Sequence, residues 1–158
     1  NKIKPSRSGV IIYTVYKNIL YFILGIDTKS GDITDLGGGV SYKRENFIDG
    51  GLRELAEESL GVFGEIKSEE IKNCLAVYDD NNIVIFIRLN LDIERKYKEF
   101  NNRIKYVNDP EVKDLKFLNK REFIKLCNGE TIMDKIMYTR VRNLLFNAKN
   151  KYQFFRYL

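Results

Sequence analysis

The chain has 158 residues and a formal charge of +5, with 44% hydrophobic and 31% charged residues. These values are typical of one globular domain that can bury a core, so we predict a single domain over residues 1–158. The longest apolar runs have the length of strands, and we expect no membrane span. Histidine is absent, which excludes Ser-His and Cys-His catalysis and metal sites that depend on imidazole.

The two cysteines, Cys74 and Cys127, are far apart and lie in no recognisable motif. This usage is typical of buried thiols in a reducing compartment rather than of a disulfide framework, and we expect a cytoplasmic location. The net positive charge favours anionic partners.

The first half of the chain predicts two strand pairs with a helix between them. Four segments rich in β-branched and aromatic residues predict strands: 9–16, 19–26, 74–78 and 83–91. Lys17 and Asn18 predict a tight hairpin turn within the first pair. A helix is predicted over 47–60, with Asn46 as its N-cap and Asp49 in its first turn.

The second half predicts three further helices and one short strand. The helices are expected at 92–105, 120–126 and 133–148, and the strand at 115–118. In the last helix, the apolar residues form one stripe: Ile136, Val141, Leu144 and Leu145. Mixed strands with a helix between the pairs predict an α/β/α layered domain.

The helix predicted in the first half carries three carboxylates on one side. At 100° per residue, Glu54, Glu57 and Glu58 fall within an arc of about 100°. Gly50 and Gly51 precede them by one turn, which indicates close approach by a ligand or another backbone. Repulsion among the carboxylates is compensated if they bind Mg²⁺ or Mn²⁺, which take oxygen ligands from carboxylates, water and phosphate. A solvated acidic face is the alternative.

The residues around these carboxylates form a longer pattern. Gly39 is followed after five residues by Glu45, and after seven more by Arg-Glu-Leu-Ala-Glu-Glu at 53–58. This pattern resembles the box of the Nudix hydrolase family, G-x5-E-x7-R-E-U-x-E-E-x-G-U, where U is a bulky apolar residue. The chain has Leu60 and Gly61 where the box has glycine and then an apolar residue. We therefore expect the helix to end slightly later, with Gly61 in the left-handed conformation.

The resemblance implies a Nudix-type α/β/α sandwich with a mixed β-sheet, and it assigns roles by position. It implies metal ligands at Glu54, Glu57 and Glu58, of which the last two are the most direct, together with the carbonyl of Gly38. It also implies an ion pair between Glu45 and Arg53 that holds the loop and the helix in register. These carboxylates and Arg53 are the predicted catalytic residues.

A further candidate lies downstream, in the segment PEVKDLKF. Glu111 precedes Phe117 by six positions, and this spacing resembles a family pattern in which such a glutamate serves as an extra metal ligand or general base. Asp114 is the alternative, and Glu111 as an ordinary loop acid after Pro110 is equally open.

The resemblance implies attack of water on a diphosphate linked to a second moiety, which the box does not identify. After Asp134 the chain has no acidic residue, whereas it has these basic ones: Lys135, Arg140, Arg142, Lys149, Lys151 and Arg156. Such a tail predicts contact with a nucleic-acid backbone, although an ordinary solvated surface is the alternative. We take Arg140, Arg142 and Lys149 as substrate-binding candidates, with Tyr42 because it lies close to the box.

The leading substrate hypothesis is the 5′ cap of messenger RNA. The ending EESLGVF and the Asn/Lys/Ile-rich composition resemble Nudix proteins of large DNA viruses, several of which remove caps, and this would imply the host cytoplasm. The alternatives are small nucleotides, dinucleoside polyphosphates or inositol pyrophosphates as substrates, or a catalytically silent Nudix-fold binding module. The choice between Mg²⁺ and Mn²⁺ and the oligomeric state stay open.

Overall fold

The computed structural model describes residues 3–71, 73–152 and 156, and of residues 149–152 it describes the backbone alone. This part of the chain contains seven strands: β1 (Arg7–Tyr16), β2 (Ile19–Asp27), β3 (Ile33–Thr34), β4 (Leu36–Gly39), β5 (Leu75–Tyr78), β6 (Asn82–Arg88) and β7 (Val112–Asn119). It also contains four α-helices: α1 (Phe47–Glu58), α2 (Ile93–Ile104), α3 (Lys120–Cys127) and α4 (Thr139–Tyr152). A short 3-10 helix covers Ser68–Ile71.

The strands form one mixed sheet around β1. This strand pairs antiparallel with β2 and parallel with β6, while β5 pairs with β6 and β7 pairs with β2, both antiparallel. The predicted strand pairs and the mixed sheet are confirmed. The structure adds a fork between β1 and β2, because β2 pairs with residues 12–16 of β1 whereas β4 pairs with residues 7–10. On the other side of the fork, β3 pairs with the end of β2.

Helices cover both faces of this sheet, as predicted for an α/β/α sandwich. Side chains alternate along a strand, so Val10 belongs to the core under α1 and α2 whereas Ile11 belongs to the core under α3 and α4. Leu55 and Phe100 fill the first core, and Phe123 lies in the second. None of the helices in the described residues is long and apolar enough to cross a membrane.

Helix α1 begins as predicted but ends earlier than expected. The side chain of Asn46 accepts a hydrogen bond from the backbone N–H of Asp49 at 2.8 Å, which satisfies one free donor of the first turn. Gly61 has the expected left-handed conformation, with φ of 72°. The expectation of a later end is wrong, because Leu60 is left-handed as well, with φ of 58°, and the helix stops at Glu58.

The two glycines of α1 allow the backbone to approach the sheet and the preceding loop. A Cβ on Gly51 would lie 2.6 Å from Oγ of Ser8 on β1, and a Cβ on Gly50 would lie 2.8 Å from the Glu45 carboxylate. Close approach by another part of the chain therefore accounts for both glycines.

The predicted start of the last helix is wrong. Helix α4 begins at Thr139, and before it Met133 and Asp134 have positive φ values of 52° and 60°. The backbone N–H of Ile33 donates to the carbonyl of Ile136, and the N–H of Tyr138 donates to the carbonyl of Ile33. Residues 136–138 therefore run alongside β3 before the helix begins. Ile136 is 39% exposed and does not belong to the apolar stripe of the helix.

Candidate functional site

Three carboxylates come together between helix α1 and the loop before β7. Glu54 and Glu58 project from successive turns of α1, and Glu111 lies in the loop just before β7. One carboxylate oxygen from each of the three lies within 4.8 Å of the others. The structure therefore brings the downstream candidate Glu111 next to two acidic residues of the box.

The environment of Glu54 and Glu58 disfavours the charged form of their carboxylates. Burial raises the pKa of Glu58 to about 9, and the negative charges of Glu54 and Asp35 raise it further, against a hydrogen bond from Gly37 and the positive charge of Arg7. Burial also raises the pKa of Glu54. Crowded and partly buried carboxylates become favourable when a cation neutralises them, and an all-oxygen set fits Mg²⁺ or Mn²⁺. The residues present therefore fit the divalent ion that the sequence predicts.

The glycine-rich strand β4 lies directly against this cluster. The backbone N–H of Gly37 donates to Oε1 of Glu58 at 2.9 Å. A Cβ on Gly38 would collide with the Glu54 carboxylate, so only glycine leaves room for that side chain. Gly38 pairs with Ser8 of β1, which fixes its position. Its carbonyl as a metal ligand stays a prediction.

Arg53 joins the loop before α1 to the acidic face of the helix. Its Nε and Nη2 donate to the two carboxylate oxygens of Glu45, both at 2.9 Å, and Nη2 also donates to the carbonyl of Gly39 at 3.0 Å. Its Nη1 donates to Glu54 at 2.8 Å and to Glu57 at 3.0 Å. The ion pair expected between Glu45 and Arg53 is thus present, and one guanidinium orients three carboxylates.

Glu57 and Asp114 lie outside the cluster. The side chain of Glu57 is 56% exposed and pairs with Arg53 one turn earlier. It lines a cavity of about 240 Å³ together with Glu54, Glu58 and Glu111. The carboxylate of Asp114 accepts from its neighbour Leu115 and lies 3.3 Å from Nζ of Lys116. The direct metal contact implied for Glu57 stays a prediction.

A larger cavity of about 670 Å³ adjoins the cluster. Its volume falls within the range of small-molecule pockets, roughly 300–1,000 Å³. Glu58 and Glu111 line both cavities. A molecule in the larger cavity would therefore lie beside the clustered carboxylates.

The substrate-binding candidates are placed differently from one another. Arg140 lines the large cavity. Arg142 lines neither cavity, and its Nη1 would lie 3.4 Å from a Cβ on Gly129. Tyr42 also lines neither cavity, and its hydroxyl donates to the carbonyl of Pro5 at 2.6 Å. The side chain of Lys149 lies outside the described residues. Their contacts with a substrate stay predictions.

The sequence did not reveal a buried ion pair on the wall of the large cavity. Nη1 and Nη2 of Arg7 donate to the two carboxylate oxygens of Asp35 at 2.8 and 2.6 Å. Arg7 opens β1, and Asp35 lies between β3 and β4 in the fork of the sheet. The residues are 28 positions apart and match no motif, so the contact depends on the sheet topology.

No model of a protein family matches the sequence, and no curated protein matches it. Solved structures do resemble it. An Ap4A hydrolase of C. elegans in a binary complex has a TM-score of 0.56 at 15% identity, covering 91% of this chain and 96% of that one. The Nudix hydrolase RenU of M. smegmatis has a TM-score of 0.56 at 7% identity, covering 95% and 87%.

A third similar structure is the Nudix domain of Shewanella oneidensis NrtR complexed with ADP ribose. Its TM-score is 0.51 at 12% identity, and the match covers 96% of this chain and 90% of that domain. Identities this low establish the architecture but not the activity. The mixed sheet, its two helical layers and these similarities together show that the chain has the Nudix fold.

Proposed function

We propose that the chain is a metal-dependent hydrolase that cleaves a phosphoanhydride bond in a substrate linked to a nucleoside diphosphate. The observation that carries this proposal is the cluster of Glu54, Glu58 and Glu111 on the edge of a cavity with the volume of a nucleotide site. The similar structures support it, because one is an Ap4A hydrolase and another is complexed with ADP ribose.

Glu54, Glu58 and Glu111 would hold the divalent ion. When bound, Mg²⁺ or Mn²⁺ supplies charge neutralisation on phosphate oxygens and lowers the pKa of bound water. Glu57 lines the same small cavity and is mostly exposed, so its carboxylate is available to accept the proton of the attacking water. Arg53 holds Glu57 and Glu54 in place through one guanidinium. Water adds to phosphorus, the bridging P–O bond breaks, and the second phosphate leaves with that oxygen.

The experiment is a product analysis with three substrates: ADP-ribose, Ap4A and RNA labelled in its methylated cap. Each is incubated with the chain and Mg²⁺ or Mn²⁺, and the products are separated by chromatography. We expect hydrolysis of at least one substrate, and a loss of several orders of magnitude in Glu58→Gln. Glu65→Gln is the matched control, because Glu65 is exposed and lies outside both cavities.

A folded chain that hydrolyses none of the three substrates with either metal would contradict the proposal. So would a Glu58→Gln variant as active as the wild type. The first result would favour the catalytically silent binding module, whereas the second would show that hydrolysis does not depend on Glu58.

Capped RNA is the second candidate, with release of the capped nucleoside as its diphosphate. Arg140 favours it, since this residue lines the large cavity from α4, a helix whose sequence has no acidic residue. An RNA that contacts many phosphates loses affinity more steeply as salt rises than a small nucleotide does. The salt dependence of KM for capped RNA and for Ap4A therefore distinguishes the two, and absence of cap release would exclude decapping. A viral origin and the host cytoplasm belong to this second candidate.

A further inference from the structure

Leu60 has a backbone conformation that ordinarily favours glycine. Its φ is 58°, its N–H donates to the carbonyl of Glu57 at 3.3 Å, and the N–H of Gly61 donates to the carbonyl of Ala56 at 2.9 Å. These two hydrogen bonds form the Schellman motif that ends many helices, and the left-handed position of this motif is usually glycine. A bulky side chain there strains the backbone. The chain thus has a strained leucine at the position where the Nudix box has glycine.

The surroundings of Leu60 hold it in this conformation. Nη1 of Arg103 donates to the Leu60 carbonyl at 2.6 Å, which joins the end of α1 to the last turn of α2. The Leu60 side chain packs against the core under α1 and α2, and it also lines the small cavity beside the carboxylate cluster. Strained residues are concentrated at functional sites, where the surrounding structure enforces them. The strain therefore accompanies a side chain that shapes the site.

Apolar side chains line one part of the small cavity, and carboxylates line the rest. The apolar residues are Leu60, Val107, Pro110 and Val112. Among the described residues that line this cavity, every polar side chain is a carboxylate. The carbonyls of Leu60 and Pro110 already accept hydrogen bonds, from Arg103 and Thr28 respectively. The apolar part of the wall therefore offers few acceptors to a water molecule in the cavity.

Such a wall affects the two ions that fit the carboxylates differently. Mg²⁺ dehydrates reluctantly and usually keeps several water ligands, whose protons need hydrogen-bond acceptors. Water ligands against an apolar wall lose those hydrogen bonds, and the loss is larger for the ion that does not release its water. Mn²⁺ is larger and holds water less strongly, so it exchanges water for carboxylate oxygen more readily.

We propose that Leu60 is a specificity-determining residue that makes the carboxylate cluster favour Mn²⁺ over Mg²⁺, because its side chain excludes water that Mg²⁺ would retain. This inference rests on the proposed function, because it concerns the ion of the same site. It accounts for a leucine at a position where glycine would relax the backbone.

The test measures the binding of each ion without substrate, so that hydrolysis does not contribute. Isothermal titration calorimetry gives the Kd of Mg²⁺ and the Kd of Mn²⁺, and their ratio measures selectivity. Leu60→Gly relaxes the backbone and opens the wall to water. We expect the ratio to fall about five- to tenfold in this variant, mostly through tighter binding of Mg²⁺, since hydrogen bonds to a charged group are restored. Leu60→Met keeps an apolar wall and should retain the wild-type ratio.

Met133→Gly is the matched control. Met133 is also an apolar residue in the left-handed conformation, with φ of 52°, but it is 59% exposed and lines neither cavity. This control relaxes the backbone in the same way and should keep the wild-type ratio. Leu60→Asn is a second variant for the case in which Leu60→Gly does not fold. Asparagine adopts the left-handed conformation readily and its amide hydrogen-bonds water, so we expect the ratio to fall here as well.

The inference is wrong if the folded variants of Leu60 keep the wild-type ratio, or if Met133→Gly changes the ratio equally. Binding of neither ion by the folded wild type would contradict this inference and the proposed function together. A chain that hydrolyses a substrate but whose ratio does not depend on Leu60 keeps the proposed function and loses this inference. A chain whose ratio depends on Leu60 but that hydrolyses nothing keeps this inference alone.

Discussion

The backbone N–H of Thr28 donates to the carbonyl of Glu111 at 2.9 Å, and its hydroxyl donates to the carbonyl of Pro110 at 2.6 Å. Thr28 belongs to the turn between β2 and β3, whereas Glu111 lies in the loop before β7. Asp109 in that loop is left-handed, with φ of 51°. The two hydrogen bonds therefore attach the backbone of the Glu111 loop to the turn between β2 and β3, and this position places the Glu111 carboxylate near α1.

Thr28→Val should weaken Mn²⁺ binding. The substitution keeps the backbone hydrogen bond and the side-chain shape but removes the hydroxyl donor to Pro110. A neutral hydrogen bond contributes about 1 kcal/mol, so we expect the affinity for Mn²⁺ to fall about two- to fivefold by calorimetry. Thr28→Ser retains the hydroxyl and should bind like the wild type. Equal affinities in the valine and serine variants would contradict this role.

Metal affinity should rise with pH. Because burial raises the pKa of Glu58 to about 9, the metal-free cluster holds a proton at neutral pH that the incoming ion must displace. The apparent affinity for Mn²⁺ should therefore increase by up to about tenfold per pH unit below that pKa. Calorimetry at pH 6, 7 and 8 in buffers of different ionisation enthalpy would count the released proton. Glu58→Gln should bind more weakly and show a much flatter profile, and a steep profile in this variant would exclude Glu58 as the source.

The ion pair of Glu45 and Arg53 should stabilise the folded chain at neutral pH and should lose this effect in acid. Hydrogen bonds from Arg53 lower the pKa of Glu45 from its ordinary 4.5 to about 2. A carboxyl with a lowered pKa in the folded state contributes stability that is present above pH 4.5 and is lost as pH falls toward 2. The free energy of unfolding, measured in urea without metal, should thus fall less over this interval in Glu45→Gln than in the wild type. Glu65→Gln should follow the wild-type curve, and so would Glu45→Gln if the pair contributed nothing.

Gly61→Ala should destabilise the end of α1. Gly61 has φ of 72°, and a Cβ there would lie 3.4 Å from Nη1 of Arg103, which donates to the carbonyl of Leu60 at 2.6 Å. Alanine in this conformation costs about 1 kcal/mol, or about 2–4 °C in Tm for a domain of this size. Gly39→Ala is the control, because Gly39 has no positive φ and its nearest neighbour atom would lie at 4.0 Å. Its Tm should stay close to that of the wild type.

Local pattern predicted most of the elements. The strands of both pairs, the cap at Asn46 and helix α1 follow from side-chain periodicity and capping chemistry within a few residues. Strands β3 and β4 were not predicted, because they are two and four residues long and β4 is mostly glycine. Their pairing partners, β2 and β1, define them. The start of α4 was mispredicted because apolar residues before Thr139, such as Met137, are buried by contact with β3 rather than by a helix.

Site residues on one element could be predicted from the sequence, whereas those brought together by the sheet topology could not. The acidic face of α1 is visible in the sequence because its carboxylates share one helix, and the position of Glu111 followed from the resemblance alone. The pair of Arg7 and Asp35 could not be predicted, since it forms where two strands diverge and its members come from separate elements. Charge made Arg140 and Arg142 equal candidates, and only the structure shows that Arg140 lines the large cavity whereas Arg142 lies beside Gly129.

The wall that the two cavities share has a thermodynamic consequence. Glu58 and Glu111 face both cavities, so a cation bound in the small one changes the electrostatic potential felt by an anion in the large one. By reciprocity, the ion then raises the affinity for the anionic ligand by the same factor as the ligand raises the affinity for the ion. A chain with this geometry would bind each component more tightly in the presence of the other and would assemble its reactive complex cooperatively from the two.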